Sequence, residues 1–170
     1  MIYPDALKPN RYETHTLDGV KYNIPVVDLL LKRWDGPLID NTFGGKPLAN
    51  YKGMPMFAEL AIQRIAVEDG WSARWVETYA QKGSSPYYFT DWLDAPLTQQ
   101  VPAPLNDSYI EKILLGISFL NGNSYSGCWD VLVWKNKNVL FMESKRNKKD
   151  NVRITQLKWL KESLSFGLTK

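Results

Sequence analysis

The chain has 170 residues, 44% hydrophobic and 13% aromatic, which suffices for one packed domain and excludes a disordered chain. Its single cysteine, Cys128, excludes an intramolecular disulfide and fits a reducing compartment. Its single histidine, His15, argues against zinc fingers and Ser-His-Asp hydrolases, so any metal chemistry has to be carboxylate chemistry. The net charge of +3 is uneven: from Lys135 onward ten Lys and Arg stand against Glu143, Asp150 and Glu162, a balance of +7. The preceding residues hold 11 cations and 15 carboxylates, or −4. Such a basic C-terminal part suits a polyanionic partner, and equally a solvated helix with a basic loop.

The start Met1-Ile2-Tyr3-Pro4-Asp5 has neither a basic leader nor an apolar core, and no apolar run approaches the roughly 18 residues that span a bilayer. A cytoplasmic protein that does not engage membranes is expected. Residues 1–50 read as an N-terminal extension packed on the core, mostly loop, with a helical piece over 25–34 in which Val26, Leu29, Leu30 and Arg33 follow helical spacing. The periodicity predicts a helix over 54–69, stopped by Gly70, with Phe57, Ala58, Ala61, Ile62 and Ile65 as its apolar face. Glu59 falls at the edge of that face, half buried; Glu68 and Asp69 lie at the far end, where the helix dipole disfavours carboxylates.

A strand over 72–79 follows. Residues 81–126 read as an insertion: a loop over 82–86, then Tyr87-Tyr88-Phe89 and Trp92, suited to packing across a sheet or to stacking on unpaired bases. Asn106 or Asp107 caps a helix to about Leu120, whose stripe is Ile110, Ile113, Leu114, Ile117 and Leu120.

Residues 129–134 and 139–144 are apolar, β-branched and aromatic runs separated by Lys135, Asn136, Lys137 and Asn138, the pattern of a hairpin. A two- or four-residue loop centred between Asn136 and Lys137 sets Trp134 opposite Val139 and Asp130 opposite Glu143. Like charges so opposed destabilise a sheet, so this pair either shares a proton or holds a hard divalent cation. Strand alternation puts Lys145 on the face of Glu143. The plain alternative is a solvated hairpin with incidental charges. A last helix over 152–166 ends at Gly167, with Leu157, Leu160 and Leu164 as its stripe and Gln156 one step off it.

Asp130, a hairpin and Glu143-Ser144-Lys145, followed by the Gln156-containing helix, resemble the signature of the PD-(D/E)XK nuclease superfamily. Trp129 stands where that signature has Pro. The helix is similar to that of the VRR-NUC (virus-type replication-repair) branch and of related Holliday-junction resolvases. The resemblance covers residues 54–80 and 127–168. It implies an α/β fold, a restriction-endonuclease-like core in which helices flank a small mixed sheet. It also implies hydrolysis of DNA phosphodiester bonds by a Mg²⁺- or Mn²⁺-dependent endo- or exonuclease, selective for structure rather than sequence, of the repair, recombination or mobile-element type.

The site it implies comprises Glu59, Asp130, Glu143, Lys145 and Gln156, with Glu59, Asp130, Glu143 and the Ser144 carbonyl as metal ligands. Lys145 would orient the attacking water. Arg146, Lys148, Lys149, Arg153 and Lys158 would meet phosphates. DNA is the expected partner, and a homodimer is compatible with this reading. The alternative is a nucleic-acid-binding module, or a subunit of a larger assembly, that keeps the fold without turnover.

Overall fold

A computed structural model describes residues 1–40, 43–78 and 85–168. After a 3₁₀ turn at Asp5–Leu7, strands β1 (Arg11–Leu17) and β2 (Val20–Val26) form an antiparallel hairpin. Its turn residues Asp18 and Gly19 have φ of 52° and 77°, the mirror-image turn whose twist matches two paired strands. Alternation buries Tyr22 and Ile24, with Leu17, against Leu157 of the last helix. The helix expected over 25–34 is therefore absent. Val26 belongs to β2, Pro25 pairs with Tyr12, and Leu30 is 90% exposed, so the helical spacing of these residues corresponds to no buried stripe.

Strands β3 (Lys32–Arg33), β4 (Ala49–Tyr51) and β5 (Met54–Met56) make a small antiparallel sheet. Helix α1 (Ala58–Glu68) thus starts later than its periodicity suggests, because Met54, Pro55 and Met56 are taken by pairing with β4. Its buried residues are Glu59, Leu60, Ala61, Gln63 and Ala66, a face rotated from the expected one, with Glu59 inside it rather than at its edge.

Strands β6 (Ser72–Glu77) and β7 (Tyr87–Phe89) come next. Tyr79, at the expected end of β6, and residues 82–84 of the expected loop lie outside the described residues. Helix α2 (Ser108–Leu120) is capped by Asp107, whose carboxylate accepts from the amides of Tyr109 and Ile110. Ile110, Ile113, Leu114 and Ile117 are buried as expected, whereas Leu120 is exposed and Ser118 faces inward, donating to the Leu115 carbonyl.

Strands β8 (Val131–Lys135) and β9 (Asn138–Met142) pair in the expected register, Trp134 opposite Val139, through a two-residue turn in which Asn136 has φ 55°. Both are shorter than the runs in the sequence. Helix α3 (Ile154–Ser165) closes the described chain.

The central sheet has the order β7-β6-β8-β9, and every pairing is antiparallel, not mixed as expected. Ala73, Val131, Val133 and Leu140 pack with Ala66 of α1 on one face, where Leu7 also joins them. On the other, Leu132 and Trp134 pack with Ile110, Ile113, Leu114 and Ile117 of α2 and Trp159 of α3. The result is a helix-sheet-helix arrangement of mixed α and β structure. In the 81–126 segment Phe89 and Trp92 pack on the core: they surround Trp75, at 5.7 and 5.3 Å between ring centroids, with Phe57 and Phe43. Among the described residues no helix is long and apolar enough to cross a membrane.

A candidate carboxylate and lysine site

The open end of the β8–β9 hairpin brings the predicted carboxylates together. The ladder stops at Val131 and Met142, and Asp130 and Glu143 follow one step beyond. There the Glu143 Oε2 accepts from the Asp130 amide at 3.2 Å, and the Asp130 carbonyl accepts from the Val76 amide of β6 at 2.7 Å. Asp130 is thus held between β6 and β9. A close approach of backbones fixes the arm leading to it: Gly127, with φ 82°, lies against Thr155, whose carbonyl oxygen would be 2.1 Å from a Cβ there. Trp129, in the place of the signature's Pro, donates its indole N–H to the Gln156 carbonyl at 3.2 Å.

Lys145 meets Glu143 as the alternation of the hairpin requires, Nζ to Oε1 at 2.8 Å. Ser144 and Lys145 line a groove of about 1160 Å³ between the β9–α3 side of the core and residues 24–33. From α1, Glu59 reaches the same region, 6% exposed, and accepts from Lys46 Nζ at 2.6 Å. Burial pushes the Asp130 carboxyl up to about 8, with the negative charges of Glu143 and Glu59 adding to the effect. The same burial, together with Asp130 and Glu143, pushes the neighbouring Cys128 thiol up, so it stays a protonated core residue.

Gln156 is buried, but its side-chain oxygen accepts from the Arg153 amide at 2.9 Å, capping α3 rather than reaching toward the carboxylates. Glu68 and Asp69 sit at the far end of α1. Glu68 there pairs with Lys52 and Tyr51, and Asp69 accepts from the Asp5 amide. His15 lies 3.4 Å from Glu13, in the β1–β2 hairpin. Of the basic residues, Arg146 is engaged by Asp150, while Lys148, Lys149 and Lys158 are exposed without an ion pair among the described residues.

Two members of the site were not read from the sequence. Glu77, 4% exposed at the end of β6, acts with Glu59 and Asp130 on the Lys46 ammonium; its signal was a carboxylate closing the buried run Trp75-Val76. Lys46 gave none, since it stands in a Gly-Gly-Lys-Pro loop and arrives only through the tertiary fold.

The carboxylate donors are all oxygens, the ligand type that a hard divalent ion prefers. Among the described residues, however, no three His, Cys, Asp or Glu side chains converge as a ready ion cage. Lys46 draws Glu59 and Lys145 draws Glu143, so two ammonium groups supply the compensation. The chain matches no family model, no curated protein and no solved structure.

Proposed function

We propose that the chain is a metal-dependent nuclease of the PD-(D/E)XK type, close to the VRR-NUC branch, hydrolysing DNA phosphodiester bonds. The observation that carries this reading is the part-buried approach of Asp130 and Glu143, with Lys145 on Glu143 and Glu59 nearby. Folding alone has no use for such a pair. A Mg²⁺ or Mn²⁺ ion bound by Asp130, Glu143 and the Ser144 carbonyl, with Glu59 direct or through water, would supply an activated water and neutralise charge at the phosphate.

The chain's own groups do the rest. Lys145 offers its ammonium to the phosphate's growing negative charge and orients the water. The groove beside the site carries Lys32, Arg33, Lys148 and Lys149, none ion-paired among the described residues, which suits a phosphodiester backbone read by shape. Purified protein assayed with Mg²⁺ or Mn²⁺ on linear, nicked, flapped and four-way DNA should cleave at least one of them. Asp130→Ala and Lys145→Ala should each lower the rate by roughly 10²–10⁴-fold; cleavage unchanged by both would remove these residues from the mechanism.

A second reading is a DNA-binding module without turnover. It is favoured by the two Lys–Glu pairs, which already neutralise two of the carboxylates. Salt-sensitive DNA binding with no metal-dependent cleavage of any substrate would select it.

A further inference from the structure

We infer that the outer face of α2 is the surface through which two copies of the chain associate. The inference is independent of the proposed function, because none of the carboxylate and lysine residues of that site lies on this face. At 100° per residue, Ile110, Ile113, Leu114 and Ile117 of α2 turn toward the sheet and are buried. The side turned away is apolar as well. Leu115 and Phe119, one turn apart, are 64% and 68% exposed, and Tyr109 and Leu120, on the row that passes through Gly116, are 46% and 44% exposed. Phe166, just after α3, is 40% exposed and lies against Gly116 in the middle of this face, where a Cβ would meet its ring. Ser118, a residue fit for solvent, is instead buried with its hydroxyl donating to the Leu115 carbonyl.

Area decides what such a face can hold. Aromatic side chains bury about 150–250 Å² each, so with the two leucines these fractions leave on the order of 400–500 Å² of apolar surface in water. A lone exposed leucine needs no explanation, whereas a patch of this size is in the range that serves interaction. A standard interface takes about 800 Å² from each partner, somewhat over half of it non-polar, which is about the apolar area offered here. The face therefore suffices for one isologous contact, in which the same patch covers itself about a two-fold axis. Its two rows, Glu111-Leu115-Phe119 and Lys112-Gly116-Leu120, have the i, i+4 spacing of ridges that interdigitate when helices cross. Its charges favour a second copy too. Glu111 and Lys112, both exposed, are the only charged residues of α2 and cancel, so two copies meet without like net charge and a nucleic acid finds little to hold.

The test is the mass in solution, measured by sedimentation equilibrium. Wild type should approach twice the 19.6 kDa of one chain as its concentration rises from about 1 to 100 μM. Phe119→Glu and Leu115→Glu put a charge at positions exposed in the folded subunit, so each should fold, as checked by circular dichroism and thermal melting. Each should nonetheless raise the dimer dissociation constant at least about tenfold, because the new charge is desolvated only on association. Leu30→Glu, at a position 90% exposed outside this face, should leave the constant unchanged. Since the contact is apolar, about 1 M NaCl should not weaken it. A wild type that stays monomeric at about 100 μM overturns the inference and leaves the face to a different protein or a lipid surface. A dimer that both glutamate variants of α2 keep, that Leu30→Glu weakens as much, or that salt dissolves is held elsewhere and overturns it as well.

Discussion

Asp130 and Asp150 stand 20 residues apart in the chain and in opposite electrostatic states. Asp150 accepts two hydrogen bonds from the Arg146 guanidinium, at 2.9 and 3.0 Å, and a third from the Arg146 amide, which together hold its carboxyl down at about 2. Asp130, buried with Glu143 and Glu59 as neighbours, is pushed up to about 8. The first arrangement is a device for folding: it orders a basic loop with a well-satisfied ion pair. The second opposes folding when it is ionised, and under the proposed function a bound cation would be the reason to keep it.

The most drastic way to break this contrast is to dislodge the arm that carries Asp130. Gly127→Ala would drive a Cβ into the Thr155 backbone at a φ that alanine disfavours, and neither side can yield without moving α3 or the β8 arm. A loss of about 3 kcal/mol or more is expected, measured by urea denaturation. Gly19→Ala, at φ 77° with nothing within 4 Å, should lose only about 1 kcal/mol, the conformational cost alone. Similar losses for the two would mean that the Gly127 contact does not fix the site.

A smaller and more pointed change is Asp130→Asn. The folded protein keeps the Asp130 proton up to about pH 8, whereas the unfolded chain releases it near pH 4, so between these values the folded state binds the extra proton. Its stabilising contribution is full below about pH 4 and is lost as pH rises through about 8. In EDTA, wild type should therefore weaken from pH 5 to pH 8. Asp130→Asn, which cannot ionise, should show a flatter profile and exceed wild type at pH 8 by about 1–3 kcal/mol. Parallel profiles in urea denaturation at pH 5, 6.5 and 8 would show that Asp130 carries no buried charge.

The half of this contrast that lies in the hairpin was legible in the sequence, because strand pairing has few degrees of freedom. Once Asn136 and Lys137 were placed in the turn, alternation alone put Asp130 opposite Glu143 and Lys145 beside it. Helix α2 and its Asp107 cap were legible for the same local reason. The sequence of residues 25–34 misleads because Val26, Leu29 and Leu30 satisfy a helical period by spacing, while the Asp18-Gly19 turn and the alternating Tyr22 and Ile24 specify a hairpin. Glu59 read as an edge residue since its burial depends on Lys46, 13 positions earlier, and no local pattern reports such a partner. Gln156 lay one step off its stripe as expected, yet its side chain is spent on the helix cap, a competitor that spacing does not rank.

The smallest effect belongs to Asp150. Its carboxylate pairs with Arg146 at the protein surface, where solvent screens the attraction, so Asp150→Asn should lose no more than about 1 kcal/mol at pH 7. The sign of its pH dependence is the reverse of that for Asp130. With the folded carboxyl lowered to about 2, its contribution is present above about pH 4 and is lost as pH falls through about 2. Wild type and Asp150→Asn should therefore converge in acid and separate toward neutrality, whereas wild type and Asp130→Asn converge near pH 4 and separate toward pH 8. Adding 1 M NaCl, monitored by the same denaturation midpoints, should shrink the Asp150 difference and leave most of the Asp130 difference, since salt reaches the exposed pair and not the buried one. If salt abolished both alike, Asp130 would be as solvated as Asp150, and its elevated proton affinity would have no burial to sustain it.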